Sequence, residues 1–243
     1  MSGHSKWATI KHGKAILDAK RGKIFSRYSK EISIAVREGG SDNPDFNPRL
    51  RLAIERARAE NMPKENIKRA VDKGAGRVEG QMYEEIVYEG FGPNQVAMMI
   101  LCVTDNKNRT NSEIRSLLDK NGGTLGSAGT VSYNFDRKGI ITVSLPDNIE
   151  SDDLQLQLID LGAEDIKDLG DNIWQIIVDP ANTHSCAEAM SQLKLVVEES
   201  KIGMVPKSMI DLDKKAFERF ENFYDVVDDH DDVQEIYHNA QQI

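Results

Sequence analysis

The side chains best placed to do chemistry near the start of this 243-residue chain are cations. Lys6, Lys11, Lys14, Lys20, Arg21 and Lys23 recur there, interleaved with Trp7 and His12. A lysine is a compact point charge suited to a phosphate and poorly suited to reading a base edge. An indole such as Trp7 can stack on any exposed base, or can anchor the arm hydrophobically. A second group lies in Thr104-Asp105-Asn106-Lys107-Asn108-Arg109-Thr110. Turn chemistry and a helix cap explain Asn108 and Thr110. They do not explain Lys107 and Arg109, which could meet a phosphate at a helix N-terminus. The candidate nucleic-acid-binding residues are therefore Lys6, Trp7, Lys11, His12, Lys14, Lys20, Arg21, Lys23, Lys107 and Arg109.

Other chemistries find weaker footing. Gly123-Thr124-Leu125-Gly126-Ser127-Ala128-Gly129 spaces glycine every third residue. It is neither GxGxxG at a strand-to-helix junction nor followed by GK[ST], so it reads as a mobile loop before a strand. Five histidines form no HExxH and no pair at ligand spacing. Asp228-Asp229-His230-Asp231-Asp232 lacks the alternating ligands, glycine and terminal glutamate of an EF-hand, and reads as a solvated acidic helix end and turn. Cys102 and Cys186 show no CxxC spacing, and Cys102 sits in an apolar run as a buried small hydrophobe. No nucleophile with a recognisable base flanks it. The sequence points to no metal, no cofactor and no small-molecule substrate, and to a protein that is not an enzyme.

Charge is distributed unevenly. The whole chain carries −9, yet residues 1–80 hold 18 Lys+Arg against 10 Asp+Glu, a net +8. The remaining residues hold 13 against 30, a net −17. Such asymmetry suggests a polyanion-binding end and a self-solvating remainder, though a lysine-rich stretch can also be a plain solvated helix face. With 39% hydrophobic and 29% charged residues the chain can bury a core. Its longest apolar run, Val96 to Val103, has the length of a buried strand and falls short of a membrane helix.

The elements that must position these groups follow from periodicity. Gly3 to Lys23 reads as an arm or marginal helix. Phe25, Tyr28, Ile32 and Ala35 share one helical face, stopped by Gly39-Gly40. Pro48 opens a second helix with Leu50, Ala53, Ile54 and Ala57 inward. A third follows Met62-Pro63, with Ile67, Ala70 and Val71 inward and Gly74 as its stop. After residue 80 strands are expected over 84–88 and 95–103, then a helix capped at Thr110 by the box Thr110-Asn111-Ser112-Glu113, then a strand over 130–135. Residues 139–204 follow the order βαββαβ, a split-βαβ arrangement, and a helix over 213–227 and a strand over 233–237 close the chain. The fold class is α+β: a three-helix domain, then two α/β units, the last ferredoxin-like and inserted in the second. The expected domains are 1–79, 80–137 with 205–243, and 138–204.

Read together, these stretches resemble the YebC-like family. The likeness rests on Gly3-His4-Ser5-Lys6-Trp7, Ile10-Lys11-His12, Asp18-Ala19-Lys20-Arg21-Gly22-Lys23 and Asn61-Met62-Pro63-Lys64-Glu65-Asn66-Ile67. It continues in Tyr88-Glu89-Gly90-Phe91-Gly92-Pro93, Thr104-Asp105-Asn106, Asn108-Arg109-Thr110 and Asp231-Asp232-Val233-Gln234. The resemblance implies three domains, the third inserted in the second. It also implies a cytoplasmic protein without a removable leader, since the matching motif begins at Gly3. Some members are described as DNA-binding transcriptional regulators. Others are described as ribosome-associated translation factors, so the implied partners are DNA, ribosomal RNA or the ribosome. No helix-turn-helix, zinc finger or basic zipper is visible, and Ile140-Ile141-Thr142-Val143-Ser144 lacks the stacking aromatics of an RRM surface.

Overall fold

The computed structural model describes residues 17–78, 82–146 and 151–243, with side chains from 22 onward and from 153 onward after the second gap. In chain order the elements are α1 (Leu17–Gly39), α2 (Pro48–Ala59), α3 (Lys64–Gly74), β1 (Glu84–Phe91), β2 (Ala97–Thr104), α4 (Lys107–Lys120), β3 (Thr124–Leu125) and β4 (Phe135–Ser144). Then come α5 (Ser151–Asp160), β5 (Ala163–Asp168), β6 (Ile173–Val178), α6 (Thr183–Gln192) and β7 (Val196–Pro206). The chain ends with β8 (Ile210–Leu212), α7 (Lys214–Asp228), β9 (Val233–His238) and β10 (Ala240–Gln242). Two compact units result: residues 17–130 with Arg219–Ile236, and Val131–Glu218 with Tyr237–Ile243.

In the first unit, Ile32, Ala35 and Val36 of α1 pack with Leu50, Ala53, Ile54 and Ala57 of α2 and with Ile67 and Ala70 of α3. These are the inward faces that the 3.6-residue period assigns. Asn47 caps α2 by accepting from the amide of Leu50 at 3.0 Å, and its own amide donates to the Ala35 and Ser41 carbonyls. Gly40, at φ +67°, ends α1 as expected. Gly74 has a different task from the stop expected of it. It is the last helical residue of α3, and a Cβ there would stand 2.5 Å from the Ser33 carbonyl oxygen. The backbone turns left-handed two residues later, at Gly76.

The first unit also holds an antiparallel sheet in the order β3-β1-β2-β9. β1 and β2 pair without a break from Glu84 opposite Thr104 to Phe91 opposite Ala97. Ile114 and Leu118 of α4 are buried. Phe220 and Phe223 of α7 reach Gly92, where an added Cβ would lie 3.2 and 3.1 Å from their rings. The late helix and strand thus complete an element set begun more than a hundred residues earlier.

In the second unit β4, β5, β6 and β7 form one antiparallel sheet in the order β5-β6-β4-β7, with α5 and α6 in the crossovers. That is the ferredoxin-like arrangement the element order predicts. Ile141, Val143, Trp174, Ile176 and Val178 of the sheet pack with Leu154, Leu158, Ala187 and Met190 of the helices. The strand expected over 130–135 is not formed. Ser132–Asn134 is a 3-10 turn, and Asn134 is held by Ser208, whose amide and hydroxyl donate to its Oδ1 at 3.2 and 2.7 Å. β4 starts only at Phe135, opposite Pro206. Cys102 and Cys186 are both buried. No helix among the described residues is long and apolar enough to cross a membrane.

Candidate nucleic-acid interface

Lys6, Trp7, Lys11, His12 and Lys14 lie outside the described residues. Lys20 and Arg21 lie on the first turns of α1, and their side chains are outside the described set. Lys23 is the first candidate with a described side chain, and it does not stand alone. Lys23, Arg27 and Lys30 recur at i, i+4 and i+7, so they share one face of α1. That face meets the turn after α7. Lys23 Nζ donates to the Asp228 carbonyl at 2.9 Å and to Asp229 Oδ1 at 2.7 Å. Arg27 bonds the Asp228 carbonyl oxygen and pairs with its carboxylate at 2.9 Å. Lys30 Nζ donates to the Asp231 carbonyl at 2.8 Å and to Asp232 Oδ1 at 2.7 Å.

This corrects the reading of Asp228–Asp232 as a solvated turn. Asp229 is exposed, but Asp232 is buried and lies at the centre of a polar cluster. Its second oxygen accepts from an Arg109 guanidinium nitrogen at 2.9 Å and from Thr110 Oγ1 at 2.8 Å. Burial by itself would raise the carboxyl's affinity for a proton. Hydrogen bonds from Lys30, Thr110 and Arg109, with the Lys30 charge, outweigh it and hold Asp232 far below the usual carboxylate range. The period-2 and period-3.6 patterns carry no signal for this cluster, because it joins residues some 120 to 200 positions apart. The nearest hint in the sequence is the block Asp231-Asp232-Val233-Gln234.

The strand-to-helix connection also differs from expectation. α4 begins at Lys107, and its cap is Asn106, whose side chain accepts from the Arg109 amide at 3.1 Å. Thr110 is inside the first turn, fully buried, with its hydroxyl 2.8 Å from Thr104 Oγ1 as well as from Asp232. It is a buried bridge and not a cap. The guanidinium of Arg109 is partly exposed and also pairs with Asp105 at 3.1 Å. Lys107 pairs with Glu84 at the exposed end of β1.

Glu113, His230 and Asp232 place one potential metal-ligand atom each within 4.8 Å of one another. Their bonds argue for a different use. His230 Nδ1 accepts from the Asp232 amide at 3.1 Å, so the neutral tautomer that fits carries its proton on Nε2, 3.1 Å from Glu113 Oε2. A cation would have to strip that proton and displace Arg109 from Asp232. The glycine-rich stretch is likewise engaged: the Gly126 amide donates to the Glu89 carbonyl at 2.8 Å, and the Gly129 amide to Glu89 Oε1 at 2.9 Å. A carboxylate of the chain itself occupies the place where a phosphate oxygen would accept from Gly129.

Family models match most of the chain. Residues 5–77 match the family model described as the TACO1/YebC protein N-terminal domain, and residues 83–240 match that of the TACO1/YebC second and third domain. A "Probable transcriptional regulatory protein" of Caldanaerobacter subterraneus is 47% identical, covering 99% of this chain and 98% of its own. The similarly named YrbC of Bacillus subtilis is 44% identical over 98% of this chain and 99% of its own. The crystal structure of a conserved hypothetical protein, Aq1575 from Aquifex aeolicus, superposes with a TM-score of 0.86 at 42% identity, over 98% of each chain.

Proposed function

The chain belongs to the TACO1/YebC family, and on that premise we propose that it is a non-enzymatic regulator of gene expression that binds DNA through its basic N-terminal region. The observation that carries this reading is the charge division, +8 over residues 1–80 against −17 over the rest. An acidic remainder repels polyanions and turns the basic end toward them. The names of the relatives, probable transcriptional regulatory proteins, agree with a regulatory role. Lys6, Lys11, Lys14, Lys20 and Arg21 supply phosphate contacts in this reading, with His12 beside them and Trp7 stacking on a base or anchoring the arm, while Lys23 is taken up by Asp228 and Asp229. Lys107 and Arg109 add contacts from the start of α4.

Such a surface binds with little sequence discrimination, because lysines do not read base edges. The test is competition between a candidate promoter and scrambled duplex. A promoter-specific regulator prefers its site by roughly 10³-fold or more at physiological salt. A ratio near unity for DNA, together with much tighter binding to purified ribosomes, would replace this reading with a role in translation.

A further inference from the structure

Not every cation of the N-terminal helices is available to a ligand, and the structure sorts them. Lys23, Arg27 and Lys30 of α1 hold the acidic turn 228–232. On α2, Arg49 and Arg56 are seven residues apart, two helical turns, and so share one flank. Arg49 pairs with Glu38 and Glu85, and Arg56 with Glu31 at 3.1 Å. Lys73 of α3 lies 3.6 Å from the centre of the Tyr83 ring, and Arg77 pairs with Asp42 and Asp72. Arg37 bonds the Tyr83 carbonyl.

Five remain. Arg51 and Arg58 are also seven apart and occupy the other flank of α2, with Lys64, Lys68 and Arg69 on α3. All five are exposed, and none has an ion-pair partner among the described residues. Arg58 stands at the end of α2 and Lys64 at the start of α3, across the tight link in which the Met62 amide donates to the Ala57 carbonyl. Glu55 and Glu65 are exposed on the same helices and pair with none of the five. Lys64 and Lys68, one turn apart, repel one another at a cost to the helix. Arg58, in the last turn of α2, suits that helix's dipole, but no described ion pair uses this charged flank. It suits a polyanion, which relieves the repulsion and releases its own counterions.

We propose that Arg51, Arg58, Lys64, Lys68 and Arg69 form a phosphate-contacting surface on α2 and α3 that takes the backbone of a nucleic acid. This deepens the function proposed above and rests on it. Lys23, Arg27 and Lys30 would have to surrender carboxylates before meeting phosphate; these five need only lose water and salt.

The experiment uses the full chain with all five changed to glutamine. Its binding to a fluorescent random-sequence duplex, and to an RNA hairpin of similar length, is followed by anisotropy across a salt series. The slope of log affinity against log salt should flatten by up to about four to five for the duplex, at roughly 0.9 per phosphate contact. Arg49→Gln with Arg56→Gln should leave the slope as in wild type. Arg51→Lys, Arg58→Lys and Arg69→Lys together should preserve it. Should the fivefold variant melt early, Arg58→Gln and Lys64→Gln singly should each lower the slope by about one. An unchanged slope in folded variants overturns the surface while leaving DNA binding intact. Flattening seen on the hairpin, with no duplex binding by wild type, supports the surface and removes the DNA reading. Wild type binding neither probe overturns both.

Discussion

The ammonium of Lys30 lies 2.7 Å from Oδ1 of Asp232, and both side chains are buried. A helix from the first forty residues is thereby pinned to a turn near the end of the chain. Removing one partner of such a pair leaves a charge without compensation, which typically costs about 3–5 kcal/mol. Asp232→Asn should therefore lower stability to urea by several kcal/mol. Lys30→Met with Asp232→Asn should lose less than the two single changes added together. Additive losses in that double-mutant cycle would mean that the pair is not coupled.

Thr110 and Asn106 separate two kinds of contribution at the start of α4. Asn106→Ala removes a cap and should cost on the order of 1 kcal/mol. Thr110→Val keeps the shape and deletes the hydroxyl bonded to buried Asp232, which should cost about 1–3 kcal/mol. Chemical denaturation of both variants checks the ranking. Thr110→Val equal to wild type would remove the buried bridge from the account.

Arg109 shares its guanidinium between Asp232 and Asp105. Arg109→Gln should weaken the Asp232 cluster and lower the melting temperature. If Arg109 also contacts phosphate, the same variant should flatten the salt slope for DNA by about one. Melting and anisotropy on one preparation read the two effects separately.

Acid should act through two groups. Burial pushes the imidazole of His238 down from 6.5 to about 4, and its Nδ1 accepts from the Ala240 amide at 3.3 Å. The unfolded chain binds that proton first, so stability is full above about pH 6.5 and falls as pH drops toward 4, by up to about 3 kcal/mol. His238→Gln should flatten the pH dependence in that window. Asp232, also held low, contributes stability above the ordinary carboxylate range that is lost at lower pH still. Identical pH profiles for wild type and His238→Gln would exclude the first effect.

Gly74 tests the packing of α3 on α1. A Cβ there meets the Ser33 backbone at 2.5 Å, where no flexible side chain can give way. Gly74→Ala should destabilise by about 1–3 kcal/mol despite alanine's better helix propensity. A neutral or stabilising result in thermal melts would show that the helices can part to admit a methyl group.

The sequence alone determined what depends on local periodicity. Ile32 and Ala35, Leu50 to Ala57, and Ile67 with Ala70 declared three inward helix faces, because a 3.6-residue repeat of apolar side chains has one way to be buried. The βαββαβ order over 139–204 was legible for the same reason, and β6 fell on Ile173–Val178 as read. Strand alternation and glycine stops act over a few residues, so they can be seen without the fold. Only the tertiary structure decided the fate of charge. Asp232 looked like one acid in a solvated run until Lys30, Arg109 and Thr110 converged on it from distant positions. Thr110 fitted a capping box by spacing, yet Asn106 took the cap because Thr110 was drawn inward to that carboxylate. Arg49 and Arg51 are two residues apart and alike in sequence, but they stand on opposite flanks of α2. Glu38 and Glu85 neutralise one, and the other is left to solvent. Whether a cation is free is a property of what folds against it, and no local pattern records that.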